Sequence, residues 1–152
     1  MTSDGITDAD WDRVHALAVD IVNCSAAGDD SGETRARESL MAVLDELGET
    51  YGPKPSLLAT RADYVQSPAD RQRLLHIAYS AAEQLADSKN CELIAHSLTA
   101  FYLEEIVDLD EGVMWLAVWR NALGITPTAS DLQELARLEA LLLRGPRTEG
   151  RE

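Results

Sequence analysis

With 152 residues and 45% apolar side chains, the chain has the size and composition of one globular domain rather than of a disordered protein. Its 27 Asp and Glu residues against 13 Lys and Arg give a formal net charge of −14, which repels nucleic-acid phosphates and anionic membranes and attracts a basic partner. Aromatic residues are few, at 5%, which favours helices over sheets, and no apolar run approaches the roughly 20 residues that would span a bilayer.

The N-terminal segment indicates a cytoplasmic protein, and the cysteines indicate no disulfide framework. Residues 1–11, MTSDGITDADW, carry acidic side chains where a secretory signal carries basic ones, and they lack an apolar core. The two cysteines, Cys24 and Cys91, are too few for a disulfide framework and do not form a C-x-x-C pair. Both are expected to act as small buried hydrophobic residues.

Two helices are predicted in the first third of the chain. Thr7 and Asp10 have the spacing of a capping box, in which a hydroxyl and a carboxylate satisfy free N–H groups at the start of a helix. Glycine and short polar residues at 27–32 interrupt this helix, and a second helix is expected from about Glu33 to the proline-containing segment 51–56. The apolar residues of the first helix have helical spacing: Trp11, Val14, Leu17, Ala18, Ile21 and Val22.

Three more helices are predicted in the middle of the chain. The third covers Leu57 to Val65, and the fourth has Ser67 as its cap and Pro68 as its first residue. The fifth begins near Cys91 and continues into the segment LTAFYLEEIVDLDEG, residues 98–112. The carboxylates of that segment are Glu104, Glu105, Asp108, Asp110 and Glu111.

The C-terminal part predicts a sixth and a seventh helix. Gly112 is expected in the gap before the sixth helix, and the segment GITPTASD at 124–131 ends that helix and caps the seventh. No segment alternates with period two, so an all-α chain of about seven helices is predicted, as a single domain over residues 1–145 with a disordered tail at 146–152. The residues of the seventh helix predicted to face inward are Leu132, Leu135, Ala136, Leu138, Leu142 and Leu143.

The helices also carry an internal period. The apolar, small and aromatic positions of the fourth helix recur 40 residues later in the sixth and, more weakly, 34 residues earlier in the second. The best match is SLTAFY followed by WLAVWRNALGITP, with Trp115, Trp119, Ala122 and Pro127 near the positions of a helical repeat. Over about residues 33–127 this pattern resembles the tetratricopeptide repeat family, although Trp115 stands where that family usually has a small residue.

The resemblance implies a particular architecture. Three antiparallel helical hairpins would stack, and the seventh helix would cap the stack with a polar outer face. In that family the first helices of the hairpins line a concave groove that holds a segment of a partner. An unrelated helical bundle is the alternative. The residues predicted to form the polar face of the cap are Gln133, Glu134, Arg137 and Glu139.

The sequence lacks the residues that known metal, cofactor and catalytic motifs require. The histidines His15, His76 and His96 lie far apart, and none has a second histidine at helical spacing. Counted from Asp108 as an EF-hand loop, a glycine falls at position five instead of six and a tryptophan at position twelve instead of glutamate. There is no G-x-S-x-G and no glycine-rich phosphate loop. We therefore predict no catalytic, cofactor-binding or metal-binding residue, and no enzyme.

The candidate partner-binding residues lie on two helices that would face the groove. On the fifth helix, the spacing i, i+4, i+7, i+8 from His96 places a stripe on one side, which Asp108 extends by a turn. On the third helix the candidates are the two charged residues. For each position the alternative is a solvated face. The residues predicted to bind a partner are His96, Leu103, Glu104, Asp108, Arg61 and Asp63.

These features predict a non-enzymatic acidic module that captures a basic protein. An immunity protein or antitoxin that neutralises a toxin is favoured, because compact size and strong charge suit fast, electrostatically steered capture. The alternatives are a tetratricopeptide-like chaperone or adaptor for a secreted or assembled protein, and a small-molecule-binding enzyme or sensor with an enclosed pocket. The identity of the partner and the formation of a homodimer stay open at this point.

Overall fold

Helices account for most of residues 1–145, the part of the chain that the computed structural model describes. The prediction of an all-α fold with seven helices is confirmed, and no strand occurs within this range. The predicted tail, residues 146–152, lies outside it. The helices are α1 (Asp8–Ala26), α2 (Asp30–Tyr51), α3 (Pro55–Tyr64), α4 (Pro68–Gln84), α5 (Ser88–Ala100), α6 (Leu109–Leu123) and α7 (Ala129–Arg144), with a π-helical segment, Phe101–Ile106, directly after α5.

Three of the predicted helix starts are confirmed by their capping bonds. The hydroxyl of Thr7 accepts a hydrogen bond from the Asp10 amide at 3.3 Å, and α4 has Ser67 as its cap with Pro68 at its first position. At α7, the hydroxyl and amide of Thr128 bond reciprocally with the amide and carboxylate of Asp131, a complete capping box. Local sequence therefore sets where these helices begin.

Three other helices begin earlier than predicted, because an aspartate caps each of them. Asp29 caps α2, Asp87 caps α5 and Asp108 caps α6, so α2 starts at Asp30 instead of Glu33. For α6 the consequence is larger, since Gly112 is part of its first turns and does not lie in the gap before it. Short polar residues that suggested loops are in these cases the caps and first turns of helices.

The helices pack as three antiparallel hairpins, α1–α2, α3–α4 and α5–α6, with α7 against the last. Their apolar side chains form two separate clusters of buried residues. The first joins α1, α2 and the start of α3 and contains Ile6, Val14, Ile21, Leu40, Leu44, Leu47 and Leu57. The second joins α3 to α7, and Trp115 and Trp119 are buried in it, at 7% and 3% exposure.

The N-terminal residues connect the hairpins, which the sequence did not indicate. The side chain of Asp4 is 6% exposed and accepts a hydrogen bond at 2.8 Å from the Ser56 amide in the first turn of α3. Ser3 donates to the Asp87 carboxylate at 3.0 Å and accepts from the side-chain amide of Asn90, both at the start of α5. Residues 2–6 therefore supply remote capping groups to the second hairpin and tie it to the third.

The outer surface of the stack is more apolar than predicted. Leu132, Ala136 and Leu143 of α7 face solvent instead of the core, because the buried side of the helix is the one that carries Leu135 and Leu138. On α6 the exposed apolar residues are Val113, Met114, Ala117 and Ala122. Both half-buried cysteines are free thiols, and burial raises the pKa of the Cys91 thiol.

Candidate binding groove

The odd-numbered helices, with residues of α2 and α4, line a groove of adjoining concavities on one side of the stack. The largest of four adjoining concavities, about 610 Å³, lies between α3 and α5, and a second of about 180 Å³ extends from it to α1. A third, about 360 Å³, lies between α5 and α7, and a fourth of about 460 Å³ is closed by the first half of α2. Neighbouring concavities share side chains: Asp63, Arg71, Leu93, His96 and Ser97.

One face of α5 forms the floor of this groove. Leu93, His96, Ser97 and Ala100 line it, and helical spacing places them on one side of α5. Glu104, on the π-helical segment, continues this floor. The opposite side of α5 carries Ala95, Leu98 and Thr99 and is fully buried. The amphipathic pattern that anchors the helix in the core therefore also orients its groove face.

Carboxylates outnumber cationic groups along the groove. Its lining residues include two arginines, Arg37 and Arg71, and one histidine, His96. Such a surface carries a negative potential that a concave, protein-walled shape strengthens. The lining carboxylates are Asp30, Glu33, Asp63, Glu92, Glu104, Glu105, Asp131 and Glu134.

Arg71 holds the wall of the groove together and is not itself available as a binding group. Its Nε donates to the carbonyl of Ala62 at 3.0 Å and its Nη2 to the carbonyl of Val65 at 2.7 Å, which satisfies free carbonyls at the end of α3. Its Nη1 pairs with the carboxylate of Glu105 on the π-helical segment. One guanidinium thus joins three elements of the second and third hairpins.

A second polar network joins α5 to α7. The Glu134 carboxylate accepts from His96 Nε2 at 2.8 Å and from Arg137 Nη2 at 2.6 Å, and Arg137 also pairs with Glu104 at 2.5 Å. The Arg137 guanidinium lowers the pKa of Glu134 to about 2. Desolvation of the carboxylate opposes this shift, and the hydrogen bond from His96 adds to it. Glu134 and Arg137 are predicted on the outer face of a cap, but they point back to α5 and hold α7 against the stack.

Asp63 stands where three of the concavities meet, and its carboxylate is unpaired. Among the described residues, none forms a hydrogen bond or ion pair with the Asp63 side chain, and Asp63 is exposed to solvent. It nevertheless lies in the groove, where it lines three concavities and other lining side chains are near it. Desolvation raises the pKa of this carboxyl, with only partial opposition from the charge of Arg71. Its ionised form is therefore poorly compensated.

The structure brings together three of the six residues predicted to bind a partner. His96, Glu104 and Asp63 all line the groove, the first two within the network to α7. Arg61 lies on the same helix as Asp63 but pairs with Asp45 on α2 at 2.5 Å. It therefore contributes to hairpin packing and does not line any of the four concavities.

Leu103 and Asp108 do not belong to this surface. Leu103 is 4% exposed and packs against Gly112, because the π-helical segment takes the chain out of the α-helical register on which the predicted stripe depended. Asp108 lies beyond the left-handed residue Val107, and its carboxylate accepts from the Glu111 amide at 3.1 Å as the cap of α6. The acidic cluster at 104–111 is thus divided between the groove and a helix start.

Sequence reasoning missed the two arginines that organise the site. For Arg137, the spacing of three residues from Glu134 is a signal of a helical ion pair, although not of its direction. For Arg71 no local signal exists, since its three partners belong to segments that meet only in the folded chain.

Outside the groove, the cluster of His76, Tyr102 and Trp115 is held together by side-chain packing. His76 Nε2 and the Tyr102 hydroxyl lie 2.6 Å apart, and the His76 ring packs edge-on to Trp115 with centroids 5.5 Å apart. Within residues 1–145 no three His, Cys, Asp or Glu side chains are placed to hold a metal ion. In the same range, every helix is too short or too polar to cross a membrane.

Comparisons with protein-family models, with curated proteins and with solved structures found no significant match to this chain.

Proposed function

We propose that the protein is a non-enzymatic binding module that captures a basic protein partner in the groove between its odd-numbered helices. The observation that carries the proposal is the groove itself, a concave surface on which carboxylates exceed cations. Three arginines, Arg37, Arg71 and Arg137, pair with four of the eight lining carboxylates, and the other four are in no ion pair within residues 1–145. The eight are Asp30, Glu33, Asp63, Glu92, Glu104, Glu105, Asp131 and Glu134. The net charge of −14 adds a long-range attraction for a basic partner and speeds its association.

A tetratricopeptide-like mode of binding is part of this proposal. Its support is that three hairpins pack in chain order and that the first helix of each hairpin, together with α7, lines the groove. In such a stack a partner segment would lie across several helices and bury surface on each of them.

Neutralisation of a toxin is the role we propose first, in the cytoplasm. Immunity requires fast capture, and the uncompensated charge of this surface favours fast capture over slow, tight packing. A chaperone or adaptor role for a secreted or assembled protein uses the same groove and is the second candidate. The two differ in outcome, because an immunity protein abolishes the activity of its partner, whereas a chaperone releases an active partner.

Charge neutralisation at matched positions tests the proposal. A protein captured from a lysate by pull-down is purified, and its affinity for this protein is measured by calorimetry at about 50 and about 300 mM salt, where screening lengths differ about twofold. The groove variant combines Asp30→Asn with Glu92→Gln, and the control combines Asp20→Asn with Glu38→Gln outside the groove. Both variants change the net charge by the same amount.

We expect affinity to fall with salt and to fall at least about fivefold more in the groove variant than in the control, since only close charges retain their effect in salt. Equal losses in the two variants would show attraction by overall charge without use of the groove. An acidic partner, or affinity that salt does not change, would contradict the proposal. An assay of the partner's own activity with and without this protein then separates immunity from a chaperone role.

A further inference from the structure

We propose that Asp63 is the specificity-determining residue of the groove, and that it receives an arginine or lysine of a short partner segment whose adjacent apolar side chain packs between Trp11 and Leu93. This inference rests on the proposed function, since it names the feature of the partner that the groove selects.

The first argument is that Asp63 is available, while carboxylates close to it are engaged. Glu105 is paired with Arg71, and Glu104 and Glu134 both contact Arg137. The Asp63 carboxylate has no such partner among residues 1–145 and stands at the meeting point of three concavities. An incoming cation therefore gains a full charge-assisted bond there without breaking an existing pair.

The second argument is the cost of leaving Asp63 alone. Partial desolvation by the groove walls raises the pKa of its carboxyl, so the ionised side chain destabilises the free protein at neutral pH. A guanidinium or ammonium group bound at this point removes that penalty. Residues held in an unfavourable state in the free protein and relieved by a ligand are typical of binding sites.

The third argument is the apolar surface directly beside this carboxylate. Asp63 shares the 180 Å³ concavity with Trp11, Ala59, Leu93 and Ile94. Leu93 is 53% exposed although it borders two concavities of the groove, so a large apolar side chain faces solvent where a partner could cover it. An apolar side chain bound against Leu93 would remove apolar surface of both groups from water, which favours binding.

The width of the groove limits the size of the bound segment. A segment that crosses from α1 over α3 to α5 spans two interhelical distances of about 8–10 Å each, or about 16–20 Å in all. An extended chain covers that distance with about five residues, at about 3.3 Å each. We infer a segment of this size with a basic residue next to a bulky apolar one, in which the charge is read by Asp63 and the apolar side chain by Leu93.

A peptide library tests this inference even while the natural partner is unidentified. Random peptides of about seven residues, slightly longer than the inferred segment, are displayed on phage and selected on the wild-type protein. The most enriched sequences are then synthesised with a fluorophore, and their affinities are measured for wild type, Asp63→Asn, Asp63→Glu, Leu93→Ala and the control Asp20→Asn. We expect enrichment of Arg or Lys adjacent to Leu, Phe or Trp.

For these peptides we expect Asp63→Asn and Leu93→Ala each to weaken binding about tenfold or more, with Asp63→Glu retaining most affinity and Asp20→Asn all of it. A tenfold loss is the size expected when one charge-assisted contact is removed. Enrichment without basic residues, an absence of enrichment, or equal affinities for Asp63→Asn and Asp20→Asn would overturn the inference.

The stability of the free variant gives a second, independent result. If Asp63 has a binding role, Asp63→Asn removes an uncompensated charge, and its urea midpoint at pH 7 stays equal to that of wild type or rises. A lower midpoint would indicate a structural role and overturn the assignment. If Asp63→Asn still captures a basic protein in a salt-sensitive manner with unchanged affinity, the inference fails while the proposed function stands.

Discussion

Two helical glycines show how strongly the effect of one residue depends on its surroundings. Gly112 lies in α6 where the chain passes closest to the π-helical segment, and a Cβ atom there would stand 2.1 Å from Cδ2 and 2.8 Å from Cγ of Leu103. Gly48 lies in α2 with no atom within 4 Å of the equivalent position. The first glycine permits close packing of two elements, and the second only reduces helix stability.

The same substitution at these two glycines is therefore expected to have opposite effects. Gly112→Ala should lower the free energy of unfolding by about 1–3 kcal/mol, because Leu103 is buried and must move. Gly48→Ala should raise it by about 0.5–1 kcal/mol, because alanine is the better helix former. Urea unfolding followed by circular dichroism measures both. A stabilised Gly112→Ala would mean that the packing at Leu103 is looser than the structure shows.

At the scale of elements, the attachment of α7 combines apolar packing with a polar network. The buried side chains Leu135 and Leu138 supply its apolar part, and the network of Glu134, Arg137, His96 and Glu104 supplies the rest. Because α7 also forms one wall of the groove, the strength of this attachment sets how wide the groove between α5 and α7 can open.

The pKa of Glu134 makes this attachment sensitive to acid. In the folded protein it is about 2, below the ordinary value of 4.5, so its stabilising effect is complete above about pH 4.5 and is lost as the pH falls toward 2. After allowance for solvent screening, we expect Glu134→Gln to lower stability by about 1 kcal/mol at pH 7.

Urea midpoints measured from pH 7 to pH 3 check this expectation. The difference between wild type and Glu134→Gln should shrink over the acid part of that range, while the exposed control Glu38→Gln should run parallel to wild type. A difference that does not change with pH would show that the carboxylate's charge does not hold α7 in place.

At the scale of the whole molecule, residues 1–145 form two hydrophobic cores and not one. Leu44 is 1% exposed in the first and Leu98 fully buried in the second. The α2–α3 connection and the remote caps from residues 2–6 join them. Stacked hairpins of this kind derive much of their cooperativity from contacts between neighbours.

Because the two cores share no buried residue, we expect them to open separately. Leu44→Ala and Leu98→Ala should each cost about 2–5 kcal/mol at the site of the cavity. Native-state hydrogen exchange should show that Leu44→Ala reduces protection mainly in α1 and α2, and Leu98→Ala mainly in α4 to α6. Equal loss of protection in all helices for either variant would instead indicate one cooperative unit.

Much of the fold could be predicted because its signals are local. The capping residues Thr7, Ser67 and Thr128 act within their own helices, and so their spacing marks helix starts. The errors arise where one residue type has two uses. Asp29, Asp87 and Asp108 are of a residue type common in loops, whereas each one caps a helix. The exposed leucines of α7 have the spacing of core residues, because apolar spacing alone does not show which side of a helix is covered.

The sequence by itself determined the helical class, most helix boundaries and the excess of acid, because propensity, capping and net charge need only the order and number of residues. Only the tertiary structure decided which carboxylates are engaged. Arg71 and Arg137 each join elements 30 or more residues apart, and the π-helical turn buries Leu103 while leaving Glu104 exposed. Asp63 is left without a partner by the same arrangement, since ion pairing depends on distances in space that spacing along the chain does not contain.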